Sequence, residues 1–173
     1  MSENNLKSGL DATDYALLAL VQEDGRISNV KVAEALNLSE TPCWRRLKRL
    51  EADGYIDSYQ ANLNRHRLGF GVLALVQICF ANHTDDAPSR FEEAVLGIPE
   101  ILSCHNVTGA ADYFLQILVP DLVAYERFLS GVLRKLPGVT SIQSSLSLRE
   151  VKNTTRLPLE CADPVTSSLR SYC

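Results

Sequence analysis

A chain of 173 residues with 46% hydrophobic and 22% charged residues is globular material for one medium domain or two small ones, which excludes wholesale disorder. Its longest apolar stretch, residues 70–80, is interrupted by Gly71 and Gln77 and is too short to cross a bilayer as a helix. Residues 1–5 lack the basic and apolar regions of a signal peptide, so a cytoplasmic protein with no membrane partner is expected.

The net charge of −4 alone argues against a nucleic-acid partner, but its distribution does not. Residues 41–50 carry Arg45, Arg46, Lys48 and Arg49 with no acid among them, a local patch able to meet phosphate. The five cysteines are an odd number without a Cys-x-x-Cys pair, which points to reduced thiols. Cys104 and His105 are adjacent, but alternation on a strand would turn them to opposite faces, so no metal site is expected.

In chain order, Asp11 is placed to cap a first helix, with Asp14 favoured near its positive end and Leu17, Leu18, Leu20 and Val21 as the apolar stripe. Gly25 is the predicted left-handed stop. Ser28 caps a short second helix of about 8 residues, with Val32, Ala33 and Leu36 on one face. A three-residue turn follows, in which Asn37 takes the left-handed conformation and Leu38 plugs the angle between helices. Ser39 caps the third helix, where Pro42 in the first turn leaves no hydrogen bond unmade.

At 100° per residue, Cys43, Leu47 and Leu50 share one face of that helix. Thr41, Arg45, Lys48 and Arg49 lie opposite, with Trp44 and Arg46 on the borders. Two helices joined by a tight turn, the second basic on its outer face, form a helix-turn-helix whose recognition helix enters the major groove of double-stranded DNA. Thr41, Trp44 and Arg45 are candidate base readers, Arg46, Lys48 and Arg49 candidate phosphate clamps, and Ser39 joins them at the amino end. A basic helix can also be only a solvated face, and Trp44 could serve interdomain packing.

Residues 55–63 read as a linker strand, after which the period changes. Strands are expected over residues 71–80, 101–108, 113–119 and 139–151, and helices over residues 85–96 and from the Asp121 cap to Pro137-Gly138. The second of these helices has the cleanest stripe, Leu122, Tyr125, Phe128, Leu129, Val132, Leu133 and Leu136. The order βαββαβ is a ferredoxin-like arrangement, so the chain as a whole is α+β.

Asp24-Gly25-Arg26-Ile27-Ser28-Asn29-Val30 and Leu38-Ser39-Glu40-Thr41-Pro42-Cys43-Trp44-Arg45-Arg46-Leu47-Lys48-Arg49-Leu50-Glu51 resemble the Lrp/AsnC feast/famine family of regulators. The likeness continues through Val107-Thr108-Gly109-Ala110-Ala111-Asp112-Tyr113 and Leu136-Pro137-Gly138-Val139. It implies a winged-type helix-turn-helix over residues 10–63 and a ligand-binding and oligomerisation domain over 64–159, while residues 160–173, which have no helical or strand period, are expected to form a mobile tail. It also implies dimers and higher even oligomers, palindromic promoter sites, and an amino-acid effector held between subunits rather than a resident cofactor. Carried onto this sequence, the effector positions are Gly109, Ala110, Ala111 and Asp112 on the turn and Ser145, Leu146 and Ser147 on the last strand.

Backbone amides at that turn could hold a carboxylate and Asp112 an α-ammonium, although a glycine and an aspartate can also simply make a hairpin. The polar run Gln143-Ser144-Ser145-Leu146-Ser147 departs from the bulky apolar segment of leucine-responsive members. Thr41-Pro42-Cys43-Trp44 and residues 152–159 resemble a branch that includes cysteine-responsive regulators, which favours a small polar or sulfur-containing effector.

The function so implied is a cytoplasmic, nucleoid-associated transcriptional regulator of amino-acid metabolism or transport genes. The alternative is an architectural protein that wraps DNA without a ligand. An enzyme using Cys104 or His105 is not expected, because no phosphate loop, catalytic carboxylate pair or nucleophile elbow is present.

Overall fold

The computed structural model describes residues 9–80 and 86–159, which divide into two compact units. Residues 9–62 together with 153–159 form the first unit, and residues 63–152, less 81–85, form the second. The expected tail and Cys161 and Cys173 lie outside the described residues.

The first unit holds α1 (Ala12–Glu23), α2 (Asn29–Ala35) and α3 (Glu40–Ala52) around Leu17, Val21, Val32, Ala33, Cys43 and Leu50. α1 begins in a reciprocal cap: Asp14 N donates to Asp11 Oδ1 at 2.9 Å and Asp11 N to Asp14 Oδ2 at 3.1 Å. Its end differs from the expectation. Asp24 leaves the helix extended at φ −135°, and Gly25 is not among the residues with positive φ. Asp24 closes the turn itself, accepting from Arg26 N on its side chain and from Ile27 N on its carbonyl, so no left-handed residue is required. A Cβ at Gly25 would stand 3.4 Å from the Tyr59 ring, an ordinary contact.

Ser28 accepts from Lys31 N at the start of α2. At the other end Asn37 is left-handed, with φ 52°. Leu38 N reaches back to Ala33 O and Asn37 N to Glu34 O, the double bond pattern that closes a helix on a left-handed residue. The turn between helices spans residues 36–39. Ser39 stands at the cap of α3 but makes no side-chain cap bond. Pro42, at the third helical position, has no amide hydrogen to give it. Asn29 Nδ2 ties the two helices by donating to Glu40 O at 3.1 Å. α3 stops at Gly54, whose φ of 75° suits glycine, with Tyr55 N returning to Leu50 O and Gly54 N to Glu51 O.

The expected linker strand is not formed as a strand: among the described residues, 55–63 have no ladder and no neighbouring strand to pair with.

The second unit is an antiparallel sheet in the order β2-β3-β1-β4, built from β1 (Val72–Phe80), β2 (Ile101–Asn106), β3 (Tyr113–Val119) and β4 (Val139–Leu146). With α4 (Ala87–Leu96) and α5 (Leu122–Gly131) in the two crossovers, this is the βαββαβ ferredoxin-like arrangement. Alternation directs Ala74, Val76 and Ile78 of β1 and Tyr113, Leu115 and Ile117 of β3 into a core with Phe91, Val95, Tyr125 and Phe128 of the helices. Phe80, Phe91 and Tyr113 form its aromatic centre, with ring centroids 4.7 to 5.6 Å apart. On the opposite face Leu75, Gln77, Phe114 and Gln116 are only partly covered.

Several boundaries are shorter than the sequence suggested, among them the end of β2, which stops at Asn106 rather than 108. β4 ends at Leu146, not 151, because its partner β1 starts at Val72 and only Ser147 N, donating to Leu73 O, extends the pairing. α5 ends at Gly131 and gives way to a 3-10 turn, Leu133–Lys135, while Leu122 is exposed rather than part of the buried stripe.

Candidate functional site

α3 buries Cys43 and Leu50 and half-buries Leu47, as its period requires. Ser39, Thr41, Trp44, Arg45, Lys48 and Arg49 are exposed, and Trp44 keeps 51% of its surface open. Burial also holds the Cys43 thiol above its ordinary value, which suits a packed, unreactive cysteine.

The four basic side chains are not equivalent. Arg46 Nη1 lies 2.6 Å from Asp11 Oδ2 and 2.8 Å from Asp14 Oδ1, and Arg49 Nη2 lies 2.5 Å from Asp14 Oδ2. Asp14 is 1% exposed, and its buried carboxylate is compensated by two guanidinium groups that themselves remain partly open to water. The Asp11 carboxyl is held below its ordinary pKa, first by the Asp14 backbone amide and then by Arg46. Lys48 Nζ pairs with Glu51 Oε2 at 2.6 Å along the helix, and Tyr59 donates to the other carboxylate oxygen at 3.0 Å. Among the described residues Arg45 makes no ion pair and no hydrogen bond. Thr41, Trp44, Arg45 and Lys48 thus face outward without a tie to α1, whereas the half-buried Arg46 and the exposed Arg49 are bonded back to it.

Sequence alone places Asp14 at the positive end of α1 and does not pair it with these arginines. Its signal was present: an acid at position 14 stands in line with Leu17 and Val21 on the inward stripe, where a carboxylate needs a cation.

In the second unit the turn after β2 brings Gly109, at φ 123°, and Ala110, Ala111 and Asp112 to the end of β1. Asp112 N donates to Ile78 O, and Asp112 Oδ2 accepts from Phe80 N at 2.7 Å. The pairing of β1 with β4 shifts register between Cys79 and Phe80, and the Asp112 carboxylate takes up the amide at that break. Cys79 Sγ donates to Ala110 O, and Asn106 Nδ2 to Asp112 O, fastening the turn from both sides.

Ser145 and Leu146 pair with Leu75 and Ala74, and Ser147 bonds Leu73, whereas the turn sits beside Ile78 and Phe80. At about 3.3 Å per residue the two sets are offset by roughly 10 Å or more along β1. One chain thus brings Gly109 to Asp112 together but does not bring Ser145, Leu146 and Ser147 to them.

The amino-terminal region matches a winged helix-turn-helix DNA-binding model over residues 10–57, and the Lrp/AsnC ligand-binding domain model covers residues 73–157. The chain belongs to the Lrp/AsnC family of transcription regulators. The leucine-responsive regulatory protein of Escherichia coli K12 is 40% identical over 151 residues, covering 87% of this chain and 92% of that protein. The DNA-binding transcriptional activator DecR of the same organism is 38% identical over 151 residues, covering 87% and 99%. A transcriptional regulator from Neisseria meningitidis, solved as a complex with L-Met, superposes with a TM-score of 0.84 at 40% identity, covering 87% of this chain and 97% of its own.

Membership of this Lrp/AsnC family makes the chain a DNA-binding regulator and not an enzyme, with its DNA-binding and ligand-binding parts in one polypeptide. No helix among the described residues is long and apolar enough to cross a membrane.

Proposed function

We propose that this Lrp/AsnC-family chain is a sequence-specific regulator of amino-acid metabolism or transport genes whose operator affinity is set by a small amino acid. It acts in the cytoplasm, associated with the nucleoid. The carrying observation is that Thr41, Trp44 and Arg45 stand exposed on α3, which packs on the helical core through Cys43 and Leu50, in one polypeptide with a ligand-binding domain. Thr41, Trp44 and Arg45 read base edges, and Ser39 and Lys48 contact the backbone at the flanks. Arg46 and Arg49 are assigned to the support of α3, because both are held by Asp14.

The effector is an amino acid bound by the backbone amides at Gly109 to Ala111 and by the Asp112 carboxylate. Ser145, Leu146 and Ser147 complete the pocket from a second subunit, a reading supported by their offset from the turn within one chain. The partly covered sheet face around Leu75 and Phe114 supports self-association to dimers and larger even assemblies, and two-fold symmetry favours palindromic sites. A sulfur-containing or small polar effector is favoured by the serines of β4 and by two relatives solved with methionine, from Neisseria meningitidis and Mycobacterium tuberculosis.

Binding to the DNA upstream of its own gene, measured with and without each amino acid, tests the proposal. An affinity shift with one amino acid is expected. Affinity that follows DNA length and is indifferent to all of them would instead indicate ligand-free wrapping of DNA.

A further inference from the structure

The arrangement of the basic helix carries a consequence for specificity. Four cations lie on α3, yet two are committed inward to a carboxylate that is 1% exposed, while Arg45 is left outward. We propose that Asp14 is a specificity-determining positioning residue, which keeps Arg46 and Arg49 from the DNA phosphates so that binding depends on Arg45 and its neighbours. This rests on α3 being the DNA-reading helix.

Three observations support it. Arg46 and Arg49 stand three residues apart on α3 and therefore share a side, the side that faces the first turn of α1. Asp14 gives each guanidinium its own oxygen, Oδ1 to Arg46 and Oδ2 to Arg49, and Asp11 adds a second acceptor for Arg46. Two bonds from one fixed carboxylate hold α3 against rotation about its own axis, and that rotation sets the direction of Arg45 and Trp44. The arginines themselves are not entombed: Arg46 is 32% and Arg49 45% exposed, so both can reach outward when the Asp14 carboxylate is replaced.

Non-specific DNA affinity grows with every phosphate a cation meets, and each such contact releases about 0.9 of a counterion. Releasing two arginines would raise affinity for any sequence and blunt the advantage of the correct one. An acid facing the recognition helix thus raises discrimination by withholding charge.

The test compares wild type, Asp14→Asn and the triple variant Asp14→Asn with Arg46→Gln and Arg49→Gln. Each is titrated across salt concentrations on a duplex from upstream of the chain's own gene and on a random duplex of equal length. Asp14→Asn should steepen the logarithmic salt slope on random DNA by about 0.9 through Arg49, and by up to about 2 when Arg46 also leaves Asp11, and should lower the upstream-over-random ratio severalfold. The triple variant should return the slope to wild type. A lower melting temperature with slope and ratio unchanged would show a merely structural acid and overturn the proposal.

If Asp14→Asn does not fold, Arg46→Gln alone decides. An unchanged salt slope supports Arg46 as a committed partner of Asp14, and a slope reduced by about 0.9 overturns it by making Arg46 a phosphate contact in the native protein. Wild type that binds neither duplex, with Arg45→Ala indistinguishable from it, overturns the DNA-reading assignment of α3 and this proposal with it. That result differs from a wild type that binds and an Asp14→Asn that leaves the slope unmoved.

Discussion

Gln22 and Leu157 are joined by two opposed hydrogen bonds: Gln22 Nε2 donates to Leu157 O at 3.1 Å, and Leu157 N donates to Gln22 Oε1 at 2.7 Å. The side-chain amide acts as one rung of a ladder for a segment that has no strand partner. Arg156 adds to the attachment by donating to Glu23 O at 3.5 Å. Residues 153–159 are thus fastened to α1 although they follow the sheet domain in the chain.

Gln22→Ala should release this segment. The two lost bonds are worth about 1 kcal/mol each, discounted by their exposure. Limited proteolysis should then cut near Arg156 faster than in wild type, with little change at α3. Unchanged cleavage would mean that the side chains of Leu157 and Leu159 hold the segment without the amide.

Arg45→Ala is expected to cost ~1 to 3 kcal/mol on the operator and to relax its sequence preference, as loss of a base contact does. Lys48→Ala should weaken operator and random DNA alike, and by less, because Lys48 already shares its charge with Glu51 at 2.6 Å. Equal losses on both DNAs for Arg45→Ala would make it a backbone contact.

Asp112 offers a separation of fold from sensing. Asp112→Ala leaves the Phe80 amide without its 2.7 Å acceptor and should cost about 1 to 3 kcal/mol of stability. Asp112→Asn keeps an acceptor oxygen and should melt close to wild type, yet lose the effector response because the charge that pairs an α-ammonium is gone. A retained response in Asp112→Asn would move the ammonium contact elsewhere.

Gly54 is the left-handed stop of α3, with φ 75° and open space around its α-carbon. Gly54→Ala therefore meets backbone strain and no clash, and should lower stability by about 1 kcal/mol in thermal melts. A neutral effect would show that the turn after α3 can relax.

Tyr113 donates to Glu92 at 2.6 Å from within the core, and burial, followed by that carboxylate, pushes its pKa up to about 12. The folded state therefore favours the neutral phenol. Its contribution is complete below about pH 10, the unfolded value, and is lost as pH rises toward 12. Tyr59, also raised to about 12 by burial and then Glu51, acts in the same direction on the helical unit. Tyr113→Phe should flatten the alkaline fall in stability between those pH values, measured by denaturant midpoints at each pH.

Much of this molecule follows from neighbours within four residues. Asp11 with Asp14, Ser28 with Lys31 and Asp121 with Ala124 cap helices through local bonds. Asn37 turns left-handed where an asparagine tolerates it, and alternation sorts β1 and β3 into two faces. Such features are written in spacing, so the helix-turn-helix, the βαββαβ order and the outward placement of Thr41 and Arg45 could be read from sequence. The fate of Arg46 and Arg49 could not, because a long flexible cation takes the partner that packing brings near, and Asp14 lies 32 and 35 residues away. The extent of β4 depended on where β1 begins, and the return of residues 153–159 on Gln22, 135 residues from Leu157. Local chemistry determined which elements form and which side of α3 carries charge; only the tertiary structure decided which of those cations are paired with a carboxylate and which are not.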